Sequence, residues 1–581
     1  MTYINLGWDA DTHLEVGFPS EDLSRHLHLI GSTGSGKTTT ILSLIRQLLI
    51  SPHEKACVFV IDPMGNLSMD FLRWLANKRY CTDGVRKRLL YIEPAREDSV
   101  LPFNPLLNES PAHEYYQIER TISLILRAWE SQDLSAMPRL RKWCFNAFLA
   151  VARLQLPMAN CQYLLQPGSP EHEALLKILP PEVKHEWYEI LNSRGSEAIK
   201  ILDSTRNRLD PFFRSIILKR MFGSRRSNFD VPRLITERRI VIINLAGKRR
   251  LPPHLSGTLG ALILNEIMES AMSMSPSVVR PTYVLLDEFQ HFIGPDIYDA
   301  IPTVRQQGIR LILSHQSFSQ LEQGEVDLTG LIWQPRNRLA FACDADDADR
   351  LAHELATLTY DPMTIKYQMT AHRQRIAGYR KDLMRTWSSS FSDGSTHETS
   401  HGRNRSGQRQ ETRNPGDESH PIRSSGRGEG VSDNLSQGRS KSHSESEGWH
   451  EVNVPIQEDV EELSSVTFKS FEEEKLQWAK VLRTQPIGNA VAKFLHNPMP
   501  IRLIVDEDPI PDSESLQAAV QELIAKNFES DFFVSAASID NEAEQIRLSL
   551  FETPKIIVQT QPVISLDTNS SRPVIDASGL E

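Results

Sequence analysis

Residues 31–38 carry the pattern GxxxxGK[ST], in which glycines surround a turn that ends in a lysine and a threonine. Glycines let backbone N–H groups turn inward around phosphate oxygens, the lysine reaches the terminal phosphates, and the following hydroxyl is a ligand for Mg²⁺. The runs HLHLI before the turn and TTTILSLIRQLLI after it predict a strand and an amphipathic helix, the context that a phosphate site at a helix N-terminus requires. This context counts against the alternative, an ordinary glycine-rich turn. The residues predicted to bind nucleotide are Gly31, Ser32, Thr33, Gly34, Ser35, Gly36, Lys37, Thr38 and Thr39.

Two adjacent carboxylates, Asp287 and Glu288, follow the apolar run TYVLL. An aspartate at a strand end can hold Mg²⁺, here together with Thr38, and a glutamate beside it can orient and deprotonate the attacking water. An apolar run followed by two acids is common, so this pair is a weak signal by itself. It indicates a metal and catalytic site only because the chain also contains the phosphate loop. The two motifs together predict hydrolysis of a nucleoside triphosphate, with Lys37 and Glu288 as catalytic residues.

Gln316 and Arg305 are two further catalytic candidates. Gln316 lies just after the apolar run IRLILS, where it would sense the terminal phosphate from a neighbouring strand tip, unless it is a helix-capping or solvent-facing residue. Arg305 precedes the same run and would stabilise transition-state charge across a subunit boundary, unless it is a surface residue near a helix C-terminus. His315 is predicted to be structural rather than catalytic.

The elements that would position these residues are short apolar runs alternating with amphipathic stretches. Near-continuous apolar strands between helices predict an α/β fold whose parallel sheet is buried on both faces. Residues 110–230 differ, because their apolar residues recur at helical spacing without a strong strand, which predicts an inserted all-α subdomain. The predicted strands are 26–30, 56–62, 239–245, 282–289 and 309–314.

Composition changes sharply along the 581 residues. Ser, Gly and Arg dominate residues 387–448 and almost nothing there is apolar, so a disordered insertion is predicted. The predicted domains are a first motor part with the phosphate loop (1–109), the all-α subdomain (110–230), a second motor part with the paired acids (231–386), the low-complexity insertion (387–448), a part completing the motor domain (449–508) and an acidic, mostly disordered tail (509–581).

The net charge of −11 is concentrated in the tail, since residues 506–581 hold 15 Asp/Glu and 4 Lys/Arg. Residues 200–250 are basic instead, with 14 Lys/Arg and 4 Asp/Glu. Such a cluster would bind nucleic-acid phosphates without reading sequence, and a solvated surface is the alternative. The residues predicted to contact DNA are Lys219, Arg220, Arg225, Arg226, Lys248, Arg249 and Arg250.

The runs HLHLIGSTGSGKTTTI, VFVIDPMGNL and LPFNPL resemble the HerA/FtsK-type P-loop motors. The segments VLLDEFQHF and RQQGIRLILSHQSFSQL extend this to the conjugative coupling ATPases of type IV secretion, the TraD/TraG-like, TraM-recognition type. The resemblance spans roughly 20–380 and resumes weakly at 465–508. It implies a RecA-like core that binds ATP and Mg²⁺ through Lys37, Thr38, Asp287 and Glu288. Gln316 would then be the sensor and Arg305 the arginine acting in trans.

The resemblance also implies a homo-hexameric ring that hydrolyses ATP at subunit boundaries and pulls DNA through a pore. The sequence departs from the family at Asp62-Pro63-Met64-Gly65-Asn66, which lacks the usual Lys and acid around the glycine, and in lacking N-terminal transmembrane helices. No stretch approaches the ~18 apolar residues of a membrane span. We therefore expect a cytoplasmic protein without direct membrane insertion, at most peripheral to a membrane channel.

Three functions remain open from the sequence. The first is a coupling-type DNA translocase of a mobile element, whose acidic tail would recruit a membrane-channel or relaxosome partner. The second is a soluble HerA-like DNA translocase that works with a nuclease or defence partner. The third is an adaptor that uses ATP as a switch and brings protein cargo to a secretion channel.

Overall fold

A computed structural model describes most of the chain. It covers residues 2–551 apart from 52–55, 108–110, 127–136, 194–195, 248, 276–280, 293–302, 324–325, 394–403, 412–422, 431–440, 507–509 and 511–512. The chain divides into a main unit, residues 1–362 and 470–581, and a ribbon unit, residues 363–469.

The strands of the described residues have the following bounds. They are β1 Tyr3–Asp9, β2 Glu15–Pro19, β3 Leu27–Ile30, β4 Cys57–Asp62, β5 Leu89–Ile92, β6 Ser99–Val100, β7 Ile240–Asn244, β8 Thr282–Leu286, β9 Ile309–His315, β10 Glu322–Gln323, β11 Val326–Asp327, β12 Asn337–Ala340, β13 Ile365–Asp393, β14 Asn404–Glu411, β15 Arg423–Gly430, β16 Lys441–Phe468, β17 Asn489–Lys493, β18 Ile501–Val505 and β19 Val534–Ser535.

An eleven-stranded sheet forms the centre of the main unit, in the order β2-β1-β18-β17-β12-β3-β9-β8-β4-β7-β5. The seven strands from β12 to β5 are all parallel, and β17, β18, β1 and β2 extend the sheet with antiparallel pairs. The predicted mostly parallel α/β sheet is confirmed. The carboxyl ends of β3, β9, β8 and β4 meet at one edge, where α/β proteins bind ligands.

The parallel strands are buried because alternate residues enter two different cores. In β4, Phe59 and Ile61 belong to one apolar cluster, whereas Val58 and Val60 belong to another. The first core includes the residues of the helical insertion, and the second includes the buried face of the helix after the phosphate loop. Burial on both sides explains the near-continuous apolar runs of these strands.

Helices cover the sheet and form the insertion. The described α-helices are α1 Lys37–Ile50, α2 Asn66–Ala76, α3 Asp83–Arg86, α4 Pro111–Leu126, α5 Pro138–Arg153, α6 Cys161–Leu164, α7 Pro170–Ile178, α8 Pro181–Glu186, α9 Tyr188–Asn192, α10 Ser196–Arg214, α11 Ile216–Met221, α12 Val231–Thr236, α13 Pro253–Ser273, α14 Ala345–Thr359, α15 Phe471–Thr484, α16 Glu514–Phe528 and α17 Ala536–Ser549. Short 3-10 helices lie at Ser20–Arg25, Met158–Asn160, Phe289–His291, Phe318–Leu321 and Thr329–Trp333. Between Pro111 and Met221 the described residues contain helices α4 to α11 and no strand.

The first part of the acidic tail forms two helices, whereas the sequence predicted disorder there. Helix α16 buries Leu516, Val520 and Ile524 in the second core, and α17 buries Ile539 and Ile546 in the first. Apolar residues at helical spacing supply this burial, and the acids occupy the outer faces. Residues 552–581 lie outside the described part.

The ribbon unit also differs from expectation, because strands occupy parts of 387–448. Strands β13 and β16 are antiparallel, and their pairing begins with Ile365 opposite Phe468 and ends with Asp393 opposite Lys441. Strand β14 pairs with β15. Backbone hydrogen bonds need no apolar side chains, so the ladder extends into a polar sequence. Residues 449–468 consequently belong to the ribbon unit rather than to the motor sheet.

In the described parts of the chain, no helix is both long enough and apolar enough to cross a bilayer.

Candidate nucleotide site

The phosphate loop connects β3 to α1, and backbone hydrogen bonds from two distant segments of the chain support it. Gly34 and Gly36 have φ of 77° and 114°, values that disfavour any residue with a Cβ. The N–H of Gly488 donates to the carbonyl of Ser35 at 3.0 Å, and a Cβ on Gly36 would lie 3.2 Å from the Gly488 Cα. The N–H of Ser32 donates to the carbonyl of Ala342 at 2.7 Å. Two distant segments therefore hold the loop in shape.

Lys37, the first residue of α1, is buried within this loop. Its Nζ donates to the carbonyls of Gly31 and Ser32. Burial lowers the pKa of the Lys37 ammonium, whereas the charges of Glu288 and Asp287 raise it. The cation therefore faces both the phosphate loop and the paired acids.

The loop suits an anionic phosphate on independent grounds. The hydroxyl of Ser35 is buried and has no hydrogen-bond partner among the described residues. The loop also precedes the N-terminus of α1, whose backbone dipoles favour negative charge. Thr38 is half-buried and Thr39 exposed in the first turn of that helix. All the predicted nucleotide-binding residues thus lie in the loop or in this first turn.

Asp287 and Glu288 lie just beyond β8, two strands away from β3, and both are buried. Burial, followed by the charges of Asp62 and Glu288, raises the pKa of Asp287 to about 6. A divalent cation would relieve this crowding of carboxylates, so the donor set fits Mg²⁺. Thr38 and Asp287 are the residues that would hold the ion.

Glu288 is held by two amides. Gln316 Nε2 donates to its Oε1 at 2.7 Å, and Gln290 Nε2 donates to its Oε2 at 2.8 Å. The backbone of Glu288 has φ 46°, a left-handed conformation that costs a non-glycine residue energy and occurs often at functional sites. Gln290 was not predicted from the sequence. Its position two residues after Glu288 is the signal that could have identified it.

Gln316 connects the paired acids to the phosphate loop. Its Oε1 accepts a hydrogen bond from the Thr33 hydroxyl at 3.0 Å, while its amide nitrogen donates to Glu288. The strand order places β9 between β3 and β8, which explains how one side chain at its end reaches both motifs. The sensor role predicted for Gln316 stays a prediction, and this geometry is compatible with it.

Asp62, in the loop that departs from the family pattern, ends β4. Its buried carboxylate accepts from the backbone N–H groups of Met64, Gly65 and Ser68, at 3.0, 2.7 and 2.7 Å. It therefore caps the start of α2 and adds negative charge beside Asp287.

Arg305 is exposed in the segment before β9. In the part of the chain that the structure describes, its side chain contacts none of Lys37, Asp287 and Glu288 of its own subunit. The predicted action across a subunit boundary remains a prediction.

A buried histidine pair lies beneath the site. The Nε2 atoms of His28 in β3 and His315 in β9 are 2.7 Å apart, and Arg338 Nε donates to His28 Nδ1 at 3.2 Å. His315 Nδ1 donates to the Ser317 carbonyl at 3.1 Å, so its Nε2 accepts and His28 Nε2–H donates. Burial lowers both pKa values, that of His315 to about 3. The pair is neutral and supports the residue that follows it, Gln316.

The basic residues of the two predicted stretches meet at Glu97. Arg220 donates to the Glu97 carbonyl at 3.3 Å, and Arg250 pairs with the Glu97 carboxylate at 3.1 Å. Lys219, Arg225, Arg226 and Arg249 are exposed, whereas Lys248 lies outside the described residues. The structure thus brings the 219–226 and 249–250 stretches together on one surface.

Helix α17 of the acidic tail packs against the same surface. Asp540 accepts from Arg220 through both carboxylate oxygens, at 3.0 and 2.6 Å. Glu542 accepts from the Arg225 N–H at 3.0 Å and from the Ser224 hydroxyl. No local sequence pattern predicts this contact, because Arg220 and Asp540 are 320 positions apart along the chain.

Two family models match the chain in succession. The helicase HerA central domain matches residues 4–267, and the TraM recognition site of TraD and TraG matches residues 281–417. No curated protein matches the chain.

Solved structures of conjugative coupling proteins are similar at low identity. The bacterial conjugative coupling protein TrwBΔN70, in its unbound monoclinic form, has a TM-score of 0.45 and 13% identity over 87% of this chain and 89% of its own. The plasmid coupling protein TrwB in complex with ADP and Mg²⁺ has a TM-score of 0.39 and 17% identity over 58% and 76%.

The fold, the phosphate loop and the paired acids define a P-loop nucleoside triphosphatase. Over residues 4–267 the chain is similar to the central domain of the helicase HerA. Over residues 281–417 it is similar to TraD and TraG.

Proposed function

We propose that the protein is an ATP-hydrolysing ring motor that moves DNA, as a coupling-type ATPase of conjugative transfer. The observation that supports this most is the position of Gln316, which contacts the phosphate loop through Thr33 and the predicted general base Glu288 at once. A change at the terminal phosphate would thereby reach the base through a single side chain. The two family models, which are those of motor and coupling proteins, support the same reading.

The residues of the site have complementary roles in this proposal. The loop N–H groups and Lys37 bind the phosphates of ATP and neutralise charge that develops on them. Glu288 accepts a proton from the attacking water, and Gln316 orients that water. Mg²⁺, when bound at Thr38 and Asp287, supplies positive charge to the phosphate oxygens. Arg305 of a neighbouring subunit would complete the site in a homo-hexamer.

DNA would bind to the surface where the two basic stretches meet. Lys219, Arg225, Arg226 and Arg249 are exposed there, and Arg220 and Arg250 both contact Glu97. Such contacts would hold the phosphate backbone without reading bases. We place the protein in the cytoplasm, at the entrance of a membrane channel, with a relaxosome protein of the TraM kind as partner.

The match to the HerA central domain favours one alternative, a DNA translocase that serves a nuclease or a defence partner. An ATP-switched adaptor for protein cargo is the other. A motor of either kind predicts ATP turnover that DNA accelerates, whereas an adaptor does not.

The test is the ATPase rate of the full chain measured against protein concentration, with double-stranded, single-stranded or no DNA. We expect a rate per subunit that rises with protein concentration, because sites form between subunits, and that rises again with DNA. Glu288→Gln is the matched inactive control, since it keeps the side-chain shape. Equal rates in all three conditions would exclude the motor.

A further inference from the structure

The two long strands of the ribbon unit, β13 and β16, carry opposite charges. Strand β13 contains six Lys/Arg and two Asp/Glu, and β16 contains seven Asp/Glu and one Lys. The cations of β13 are Lys366, Arg373, Arg375, Arg380, Lys381 and Arg385, and the acids of β16 are Glu445, Glu447, Glu451, Glu458, Asp459, Glu461 and Glu462. The ribbon therefore has one basic edge and one acidic edge.

Among the described residues of the ribbon unit, no further strand pairs with the outer edge of β13 or of β16. The β13–β16 ladder uses one side of each strand, so alternate backbone N–H and C=O groups of the other side point away from it. A two-stranded ribbon by itself is marginally stable in water, and a long open edge is a template for another strand. The backbone thus offers two unused pairing surfaces.

One face of the β13–β16 ribbon exposes large apolar side chains that contact with another surface would bury. Tyr379, Leu383 and Trp387 alternate to the same face of β13, and Trp449 joins them because it pairs with Arg385. These four side chains remain 63–65% exposed within the chain. Adjacent ribbons in a continuous sheet would bring such stripes together on one face.

Charge selects which edges pair. Two β13 edges would place cations against cations and two β16 edges acids against acids, whereas β13 against β16 joins opposite charges. The ion pairs within one ribbon, such as Lys381–Glu451 at 3.0 Å, are exposed and leave room for second partners. A contact between unlike edges is heterologous, and repeating it closes a ring when the rotation permits.

We propose that the β13 edge of each copy pairs with the β16 edge of the next copy, so that the ribbon units form a ring of their own. The occupant of each edge is a second copy of this chain. The proposal goes beyond the ATP-driven activity, because none of these contacts involves the nucleotide site.

The test uses single cysteines in the full chain, since all five native cysteines are buried. Gln374→Cys places a thiol on β13 and Gln457→Cys one on β16, and both positions are exposed on the same face of the ribbon. The two variants are treated with a flexible bismaleimide separately and as a mixture. Lys177→Cys, exposed on α7 of the main unit, is the control partner for each.

We expect cross-linked dimers from the mixture and few from either variant alone or with the control. The yield should fall several-fold at high salt, since exposed charges are screened. Equal cross-linking of Gln374→Cys with itself would mean pairing of like edges and overturn the proposal. Cross-linking that needs DNA would mean a DNA-bridged contact, and no cross-linking would mean unpaired edges; either result overturns it. Normal DNA-stimulated ATPase in the same samples would show that the motor itself stands.

Discussion

The amide of Gln316 donates a 2.7 Å hydrogen bond to the carboxylate of Glu288, although the two residues follow different strands of the sheet. The same amide group accepts from Thr33 of the phosphate loop. Glu288 is thus held on one side by a residue that also touches the loop, and on the other by Gln290. If Glu288 is the general base, as we propose, hydrolysis would require this arrangement to change, because its carboxylate must turn toward the attacking water.

Glu288→Gln should leave ATP binding intact and slow turnover by about 10²- to 10⁴-fold, the usual contribution of a general base. Gln316→Ala should also slow turnover, while Gln306→Ala, an exposed glutamine before β9, should not. Nucleotide binding and single-turnover hydrolysis measured separately would check this. Normal turnover in Glu288→Gln would refute the assignment of the base.

Arg305→Ala should act on the neighbouring subunit rather than on its own. If Arg305 stabilises transition-state charge in trans, the pure variant should lose about 10³- to 10⁵-fold in hydrolysis, the range of such arginines. In mixtures with the wild type, activity should change out of proportion to the fraction of variant. A strictly proportional decline would instead assign Arg305 to its own subunit's site.

The histidine pair should make stability depend on pH. Both pKa values lie below the ordinary value, so below about pH 6.5 the unfolded chain binds more protons than the folded one. Stability is therefore flat above that pH and falls as the pH decreases toward 3, by up to about 1.4 kcal/mol per pH unit for each histidine.

A double variant isolates this contribution. His28→Gln with His315→Gln removes both titrating groups, whereas Asp287, whose raised pKa acts in the opposite sense, is kept in both proteins. The gap between the urea midpoints of wild type and variant should narrow from pH 7 to pH 5. A gap independent of pH would show that the pair does not titrate as described.

Arg225→Ala with Arg226→Ala should weaken DNA binding uniformly across sequences. Each lost phosphate contact should reduce the slope of log affinity against log salt by about 0.9 for duplex DNA, hence by about 2 for both. Lys177→Ala, an exposed cation on α7, is the control. Binding measured from low to moderate salt would check the slope, and an unchanged slope would exclude this surface.

Asp540→Asn with Glu542→Gln should strengthen DNA binding at the same surface. These acids pair with Arg220 and with the backbone of Arg225, so removing their charge frees cationic surface. An exposed ion pair contributes about 0.2–1 kcal/mol, and we expect at most about fivefold tighter binding at low salt. Weaker binding would indicate that α17 holds the basic surface in shape instead.

The candidate nucleotide site could be recognised in the sequence because its motifs are local. The phosphate loop and the Asp287–Glu288 pair are contiguous runs, and the strand before each follows from its apolar residues. Gln316 was predictable from its place after a strand, but its contact with Glu288 depends on the order of strands in the sheet. The brace at Gly488 and the contact of Asp540 with Arg220 join residues hundreds of positions apart, and no local pattern encodes them.

Among the described residues, the structure has regular elements in two regions where the composition predicted disorder, the low-complexity insertion and the acidic tail. Residues 387–393 contain four serines and an aspartate beside Trp387 and Phe391, yet they continue a ladder that more apolar neighbours begin. In the tail, acids on the outer faces of α16 and α17 masked the apolar residues at helical spacing beneath them.

The position of β17 and β18 has a consequence for how the protein is made. These strands lie between β1 and β12, so β1 joins the sheet beside the phosphate-loop strand β3 only through strands that are synthesised later, β18, β17 and β12. Gly488, which braces the loop, emerges from the ribosome at the same late stage. A nascent chain can therefore hold β3 and α1 long before its loop is supported. Competence to bind nucleotide should be acquired only after residue 488 has been synthesised, and therefore only after the ribbon unit has been synthesised.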